Sequence, residues 1–442
     1  MRDINVGIVG LGNVGSGAVT ILAENADEIA ARLGFRLNLE AVCSRTALRR
    51  PMTAGMARAF VTEHWRDVVT RPGIDIVVEL IGGTGVARQV VEGAIANGKS
   101  VVTANKELIA LDGLNIWRRA TERGVSLGLE ASVCGGIPIH AVLREGICAD
   151  RIETLFGILN GTSNYILTEI EKHGTPFNAV LAEAQKLGYA EADPAADIDG
   201  FDARSKLALL AAFAFGVRID PLQIAVEGIR RIVPVDFRYA HQLGCTLRLL
   251  GSARREDDGL FVSVRPALVP LSTVLASVQG AYNGVWSRGA YGADTFYYGQ
   301  GAGSLPTGVA VVSDLMRVAR DLQTGNLPRV SPFGYATVTE AAPRDIGEQR
   351  REWYLRFRVV DRPGIIAALS AILAEHGISI DAVLQLPDED WRSLPFVITT
   401  EETRESNLRA ALARMSEFDF MAEPPLALAI ERGVRARAAT TP

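Results

Sequence analysis

The feature that most limits the fold of this chain lies within its first fifteen residues. A strand-like run at 4–9 leads straight into Gly10-Leu11-Gly12-Asn13-Val14-Gly15, and helical periodicity follows over 14–31. Glycines at this spacing, between a strand and a helix, have separate uses. Gly10 permits the tight turn, Gly12 lets the backbone approach a diphosphate, and Gly15 allows helix and strand to pack closely. The helix start, with Asn13 and Val14 in its first turn, offers free N–H groups and the positive end of the helix dipole. Further apolar runs at 37–42, 76–80, 100–103 and 125–129 alternate with helical stretches. That alternation means βαβ units and a parallel sheet. The chain should therefore open with a Rossmann-type dinucleotide-binding domain over 1–130.

The end of the second strand reads the adenosine ribose in such a domain. An acidic residue there favours NAD, whereas an Arg accommodates the 2′-phosphate of NADP. The segment reads Ala41-Val42-Cys43-Ser44-Arg45-Thr46, and Glu40 lies mid-strand. Ser44 and Arg45 suit a phosphate, so NADP is favoured over NAD. A plain surface arginine is the other reading.

After residue 130 the pattern changes. Helical segments near 163–173, 178–187 and 203–215 mix with strand-like runs at 152–159 and 260–269, giving a mixed α+β domain over 131–305. A helix over 306–324 has Pro306 near its start and Gly325 just past its end, and is expected to return, within 306–340, to the nucleotide domain. Residues 341–351 read as a linker. Residues 352–431 form a compact unit with strands at 353–359, 379–386 and 396–400 and helices at 365–376 and 406–415. The unit should fold semi-independently. Residues 432–442 read as a disordered tail.

The segment 184–206 is the richest in chemistry. It places Glu191, Asp193, Asp197, Asp199 and Asp202 within twelve residues and ends on Lys206. Asp193-Pro194 and Asp199-Gly200 put its first part in a loop. The run behind Lys206 is apolar nearly all round, so its helix is buried. Asp202 and Lys206 stand i, i+4 on one face of that helix. A lysine near a helix N-terminus opposes the dipole; carried into a buried region, it needs a partner or a catalytic reason. An ordinary ion pair at a helix start is the alternative. Thr103-Ala104-Asn105-Lys106 follows a strand of the first sheet, and strand C-termini there face the ligand crevice. Thr103 and Lys106 can thus reach cofactor or substrate, although Lys106 also reads as a surface lysine. Glu130-Ala131-Ser132-Val133-Cys134-Gly135-Gly136-Ile137-Pro138 offers one carboxylate and several carbonyls, a set suited to a hard cation of low charge. A hinge between domains reads equally well there.

Composition narrows the partners. With 442 residues and about 150 residues per domain, roughly three domains are expected. The formal net charge of −5 argues against nucleic acid, which needs a clustered positive field; the one dense basic stretch, 432–437, lies in the tail. Four cysteines at 43, 134, 148 and 245 make no C-x-x-C pair and no ligand spacing, which suits a reducing compartment. The longest apolar run has nine residues, about half of the ~20 that a bilayer requires. With a strand-like run already at residue 4, no signal peptide is expected. A soluble, cytoplasmic protein without membrane or nucleic-acid partners is expected.

These motifs together resemble homoserine dehydrogenase. The segment 184–206 matches that family's signature spacing without a gap. Asn160-Gly161-Thr162-Ser163-Asn164-Tyr165-Ile166-Leu167, Thr103–Lys106, Glu130–Pro138 and Gly299-Gln300-Gly301-Ala302-Gly303-Ser304-Leu305-Pro306-Thr307 resemble its other motifs. The likeness spans about 1–340, and 353–431 resembles a ferredoxin-like ACT domain with Asp361-Arg362-Pro363-Gly364 at its first strand–helix turn. Gln300 stands where the family often has Pro, and Thr84-Gly85-Val86-Ala87 lacks the Pro common after Gly82-Gly83.

The resemblance implies NAD(P)-dependent interconversion of L-aspartate 4-semialdehyde and L-homoserine, in threonine, methionine and isoleucine biosynthesis. It makes Lys206 the acid/base, with Asp202 and Lys106 beside it in the catalytic set. Asp202 and Glu191 become ligands of the substrate's amino-acid end, and Lys106 lies between cofactor and substrate. Gly188 and Gly301 become cofactor contacts. Glu130 with the carbonyls of Val133, Gly135 and Ile137 becomes a structural sodium site. The ACT unit implies an amino-acid effector, L-threonine, and the family implies a homodimer or homotetramer. No cysteine sits in a nucleophile context, which weighs against the thioester chemistry of aspartate-semialdehyde dehydrogenase. The rival reading is an NADP-binding metabolite sensor without turnover. The full set of Glu191, Asp202 and Lys206 argues against it.

Overall fold

The computed structural model describes residues 1–49, 53–256, 259–325, 331–386 and 394–432. Six parallel strands form the first sheet in the order Phe60–Thr62, Leu37–Cys43, Ile4–Val9, Ile76–Glu79, Ser100–Thr103, Leu127–Gly128. The chain builds outward from Ile4–Val9 in one direction, then returns to build the other way from Ile76–Glu79. This reversal opens a crevice at the strand ends. Val6, Ile8, Val77, Val78, Val101 and Val102 are fully buried, as expected for a parallel sheet covered on both faces.

Two differences from the sequence reading are local. The three-residue edge strand Phe60–Thr62 is too short to show alternation. The helix expected over 14–31 divides at Asn25, whose φ of −109° and ψ of 17° are not helical, into Asn13–Glu24 and Ala26–Leu33. The later helix Ser304–Thr324 starts two residues before Pro306 and lies across Asn13–Glu24. Gly17 and Gly308 allow this crossing: a Cβ on Gly17 would strike the Ser304 backbone, and Ser304 Oγ donates to Asn13 O at 2.6 Å.

The second sheet has ten strands. Nine follow in the order Asp294–Gln300, Tyr282–Gly289, Ile152–Ile158, Cys245–Glu256, Gly259–Pro270, Leu426–Ile430, Arg350–Val359, Leu394–Arg404, Ile380–Leu384; Ala225–Val226 also pairs with Gly259–Pro270. Its path runs out of the central domain into the C-terminal unit. Leu426–Ile430, a strand the sequence pattern does not reveal, makes the join. It pairs parallel with Gly259–Pro270 through Ala267 and Leu268, and antiparallel with Arg350–Val359. The helices Ile365–Glu375 and Glu405–Met415 cover the C-terminal strands over a core that includes Leu355, Phe357, Leu369, Ile398 and Met415.

The expected linker and semi-independent unit are therefore not what the structure shows. Gln349 and Arg351 are buried, and Arg350 already begins a strand. Side-chain charge locks the seam. Asp236, from the central domain, accepts from Tyr354 Oη at 2.8 Å and pairs with Arg356. Glu431 pairs with Arg351 at 2.6 Å and with Arg254, and Glu405 with Arg265 at 2.6 Å. Such groups are tolerated in the interior only because they satisfy each other. Arg432 pairs with Glu352 at 2.6 Å; the rest of the expected disordered tail, 433–442, lies outside the described residues.

Candidate active site

At the crevice of the first sheet, Gly10 has φ +114°, and a Cβ there would lie 2.5 Å from the Leu80 carbonyl. A Cβ on Gly15 would strike Gly10 O, so the helix can approach the turn only with glycine here. Gly12 begins the helix without a side-chain cap, and a Cβ there would meet open space. Asn13 is exposed and Val14 half-buried beside it. An uncapped helix start facing open space fits a diphosphate. Ser44 lies at the end of the second strand and Arg45 beside it is exposed, with no ion pair among the described residues.

The neighbouring strand ends in Glu79, which the sequence reading passed over. It is fully buried, yet no cation among the described residues is its partner. One oxygen accepts Ile81 N at 2.7 Å and Gly82 N at 3.0 Å, and the other accepts Thr103 Oγ1 at 2.7 Å. Asn105 caps the helix Lys106–Arg123 by accepting from Leu108 N at 3.1 Å, and its amide reaches Gly83 O at 2.7 Å. These bonds fix the 80–83 loop, Thr103 and the base of Lys106 relative to one another.

The helix Phe201–Phe215 brings in the remaining charge. Its residues 207–215 are at most 5% exposed, as the unbroken apolar run requires. In its first turns Lys206 Nζ lies 2.7 Å from Asp202 Oδ2 and donates to Leu159 O at 2.7 Å. Lys106 Nζ arrives from the first domain, 3.2 Å from Asp202 Oδ1. Asn160 caps the helix Gly161–His173 and donates to Asp202 Oδ2 at 2.9 Å and to Asp197 Oδ1 at 2.6 Å. Asn160 is thus a second residue the site reading missed. Its signal was present in Asn160-Gly161-Thr162-Ser163, an N-cap before a helix.

Burial disfavours charge on both members of the central pair, but each overcomes it for the other. Lys206 and then Lys106 hold the Asp202 carboxyl well below the usual carboxylate range. Against the same burial, Asp202 raises the Lys206 ammonium above its ordinary value. Burial raises the Asp197 carboxyl, with Asp202 adding to it. Lys206 is therefore an ammonium in the free protein, a largely buried proton donor beside Asp202, which lines a cleft of about 620 Å³. Lys106, Glu191, Asp197 and Asp202 line that cleft, with Glu191 exposed on its wall. Gly188, with φ +79°, is exposed in the turn before Glu191. Gly301 is buried against Asn283, which a Cβ there would strike; Asn283 donates to Cys134 Sγ at 3.5 Å.

In the segment after the strand Leu127–Gly128, the oxygens of Glu130 accept His140 N at 2.9 Å and Ala141 N at 2.8 Å. Burial, with Asp314 nearby, raises this carboxyl to about 7. The Ile137 carbonyl accepts Ile139 N at 2.7 Å, whereas those of Val133 and Gly135 take no hydrogen bond among the described residues. One carboxylate with free carbonyls fits a monovalent cation better than a transition metal. Among the described residues no group of three or more His, Cys, Asp or Glu could hold a metal, no disulfide joins the four cysteines, and no helix is long and apolar enough to cross a membrane.

Comparison with known proteins agrees with this geometry. Residues 10–130 match the homoserine dehydrogenase NAD-binding domain, 138–316 the homoserine dehydrogenase catalytic family and 353–417 the ACT domain. The chain is 40% identical to a homoserine dehydrogenase of Neisseria gonorrhoeae over 96% of its own length and 98% of the relative's. It is 39% identical to one from Pseudomonas aeruginosa over 98% and 100%. A crystal structure of a homoserine dehydrogenase from Thiobacillus denitrificans superposes with a TM-score of 0.89 at 43% identity, covering 97% of this chain and 98% of that one. With its parallel nucleotide sheet, mixed central sheet and C-terminal ACT domain, the chain belongs to the homoserine dehydrogenase family of NAD(P)-dependent oxidoreductases.

Proposed function

We propose that the reversible reduction of L-aspartate 4-semialdehyde to L-homoserine takes place at the Lys106–Asp202–Lys206 cluster, with NADP preferred over NAD. The observation that carries this assignment is the sharing of one cleft-lining carboxylate, Asp202, by two lysines. The nicotinamide, when bound, supplies the hydride for the aldehyde carbon. As negative charge grows on the aldehyde oxygen, the Lys206 ammonium stabilises it and delivers a proton. In the reverse direction the same amine removes the hydroxyl proton. Lys106, fixed at the helix start by Asn105, adds positive charge from the cofactor side.

Asp202 already receives both lysines and Asn160. Its first duty is therefore to orient them, and a further lone pair remains for the substrate ammonium. Glu191, exposed on the cleft wall, supplies the second carboxylate for that ammonium. Gly10, Gly12, Asn13, Val14 and Gly15 would hold the diphosphate, Ser44 and Arg45 the 2′-phosphate, and Thr103, Gly188 and Gly301 the rest of the cofactor. Glu130 with Val133, Gly135 and Ile137 would hold sodium. L-Threonine is the proposed effector, a homodimer or homotetramer the assembly and the cytoplasm the location.

Homoserine-dependent reduction of NADP by the purified chain tests the central claim. Turnover supports it; a chain that binds NADP but never reduces it with homoserine would be the metabolite sensor instead.

A further inference from the structure

Glu79 ends the strand Ile76–Glu79 at the point where the first sheet reverses its order. Its neighbours across the sheet are Val9, the last residue before the glycine turn, and Thr103. Its backbone is thus at the crevice, while its side chain is fully buried. Oε1 accepts Ile81 N and Gly82 N, and Oε2 accepts Thr103 Oγ1, whose own oxygen accepts Asn105 N at 3.0 Å. Each of these donors is neutral, and a carboxyl whose two oxygens only accept is in its ionised form. Lys106, at the same end of the sheet, gives its ammonium to Asp202 instead. Burying a charge without a counter-ion is costly. Three hydrogen bonds offset part of that cost, and a cationic ligand in the crevice would offset more.

The nucleotide features decide which part of a dinucleotide this charge meets. The Gly10–Gly15 turn suits the diphosphate, and Ser44 and Arg45 suit the adenosine end on one side of it. That leaves the other side, the ends of Ile76–Glu79 and Ser100–Thr103, for the nicotinamide half. The 80–83 loop closes this side against the turn. Leu80 N donates to Val9 O at 2.8 Å, and a Cβ on Gly10 would lie 3.0 Å from Ile81 N. Gly82 and Gly83 have φ of +82° and +69°, and a Cβ on either would meet open space. An oxidised nicotinamide ring is a cation, whereas the reduced ring is neutral. The Lys106–Asp202–Lys206 cluster sums to one positive charge, which opposes the oxidised ring. Glu79 supplies the opposite sign from the sheet side.

We propose that Glu79 tunes the cofactor site by charge: its carboxylate, neutralised by no cation among the described residues, favours the oxidised, cationic nicotinamide over the reduced, neutral one. Glu79 touches no reacting atom and acts as a positioning residue for the 80–83 loop as well as a fixed charge. The inference rests on the crevice as the cofactor site and goes beyond the roles of Lys106, Asp202 and Lys206. A unit charge acting over about 10 Å at an effective dielectric constant of about 20 changes an affinity on the order of tenfold. The two redox forms share their adenosine and diphosphate and differ only at the ring. The ratio of their affinities therefore isolates the effect.

The test is equilibrium binding to the full-length protein, of NADP+ by titration calorimetry and of NADPH by its fluorescence. Wild type, Glu79→Gln and Thr103→Val are compared. Glu79→Gln keeps an acceptor for the two loop amides but removes the charge. Its dissociation constant for NADP+ should rise about tenfold, with that for NADPH changed by less than about threefold. Thr103→Val breaks a hydrogen bond but keeps the charge, so both constants should change by the same factor. If thermal unfolding shows that Glu79→Gln does not fold, Glu79→Met removes the same charge and carries the same expectation. A wild-type ratio of the two constants in the charge-free variant overturns the proposal. So does a Thr103→Val ratio shifted as far as that of Glu79→Gln, which would make loop geometry the cause. Wild-type protein that binds neither nucleotide overturns it together with the cofactor site. Binding needs no turnover, so a protein that binds both nucleotides without oxidising homoserine would lose the catalytic assignment and keep this result.

Discussion

Two charge clusters, each built around buried groups, face different surroundings. At the seam between the central domain and the ACT unit, five arginines (254, 265, 351, 356 and 409) meet five carboxylates (227, 236, 405, 423 and 431). At the cleft, the cations are Lys106 and Lys206. The sequence contains 46 basic residues, and only five are lysines, so two of them on one carboxylate are more telling than the pair alone. An arginine stays protonated and holds a carboxylate in a fixed fork; a lysine can give up its proton. Asp202 and Glu431 are both held below the ordinary carboxylate range despite burial. A depressed pKa therefore does not separate structure from chemistry here. The identity of the cation and access to open space do.

Removing the seam should have the largest effect. Truncation after Ala342 deletes the strand Leu426–Ile430 paired to Gly259–Pro270, removes the ion-pair partners of Asp236 and Arg254, and leaves Arg265 with Glu227 alone. We expect loss of a cooperative thermal transition, contrary to the separable unit that the sequence suggests. A truncated chain with full-length Tm and turnover would show that the seam is dispensable. Lys206→Arg sharpens the other half of the comparison, because it keeps charge but cannot hand over a proton at neutral pH. Turnover of homoserine should fall by about 10²–10⁴, with Tm and NADP affinity nearly unchanged. Near-normal kcat would take Lys206 out of proton transfer.

Smaller effects follow at single seam and surface positions. Glu431 is buried, but Arg254 and Arg351 lower its folded pKa below the ordinary 4.5. Its contribution is therefore present above pH 4.5 and lost as pH falls through the folded value. Glu431→Gln should cost about 3 kcal/mol at neutral pH and flatten the acid limb of stability; urea unfolding from pH 7 to pH 3 would show it. An acid limb as steep as in the wild type would mean that other carboxylates control it. Arg45→Ala should do least, narrowing the kcat/KM preference for NADP over NAD without altering Tm. An unchanged ratio would leave Arg45 an ordinary surface residue.

Much of the architecture was legible because it depends on neighbours in sequence. Gly10, Gly12 and Gly15 answer to one turn, and the apolar run behind Lys206 answers to one buried helix. Asp202 and Lys206 meet because four residues make about one helical turn. Glu79 escaped notice because a lone acid in an apolar strand carries no local sign of the loop amides that will satisfy it. The same holds for Leu426–Ile430, whose pairing partner lies far back in the chain.

The sequence by itself determined the nucleotide turn, the order of domains, the buried catalytic helix and the family. Only the tertiary structure decided that Lys106 joins Asp202 from another domain and that the ACT unit extends the central sheet. The physical reason is range. Periodicity, turn chemistry and capping act over a few residues and are written along the chain. Strand pairing and burial of charge are settled only when distant segments exclude water from each other.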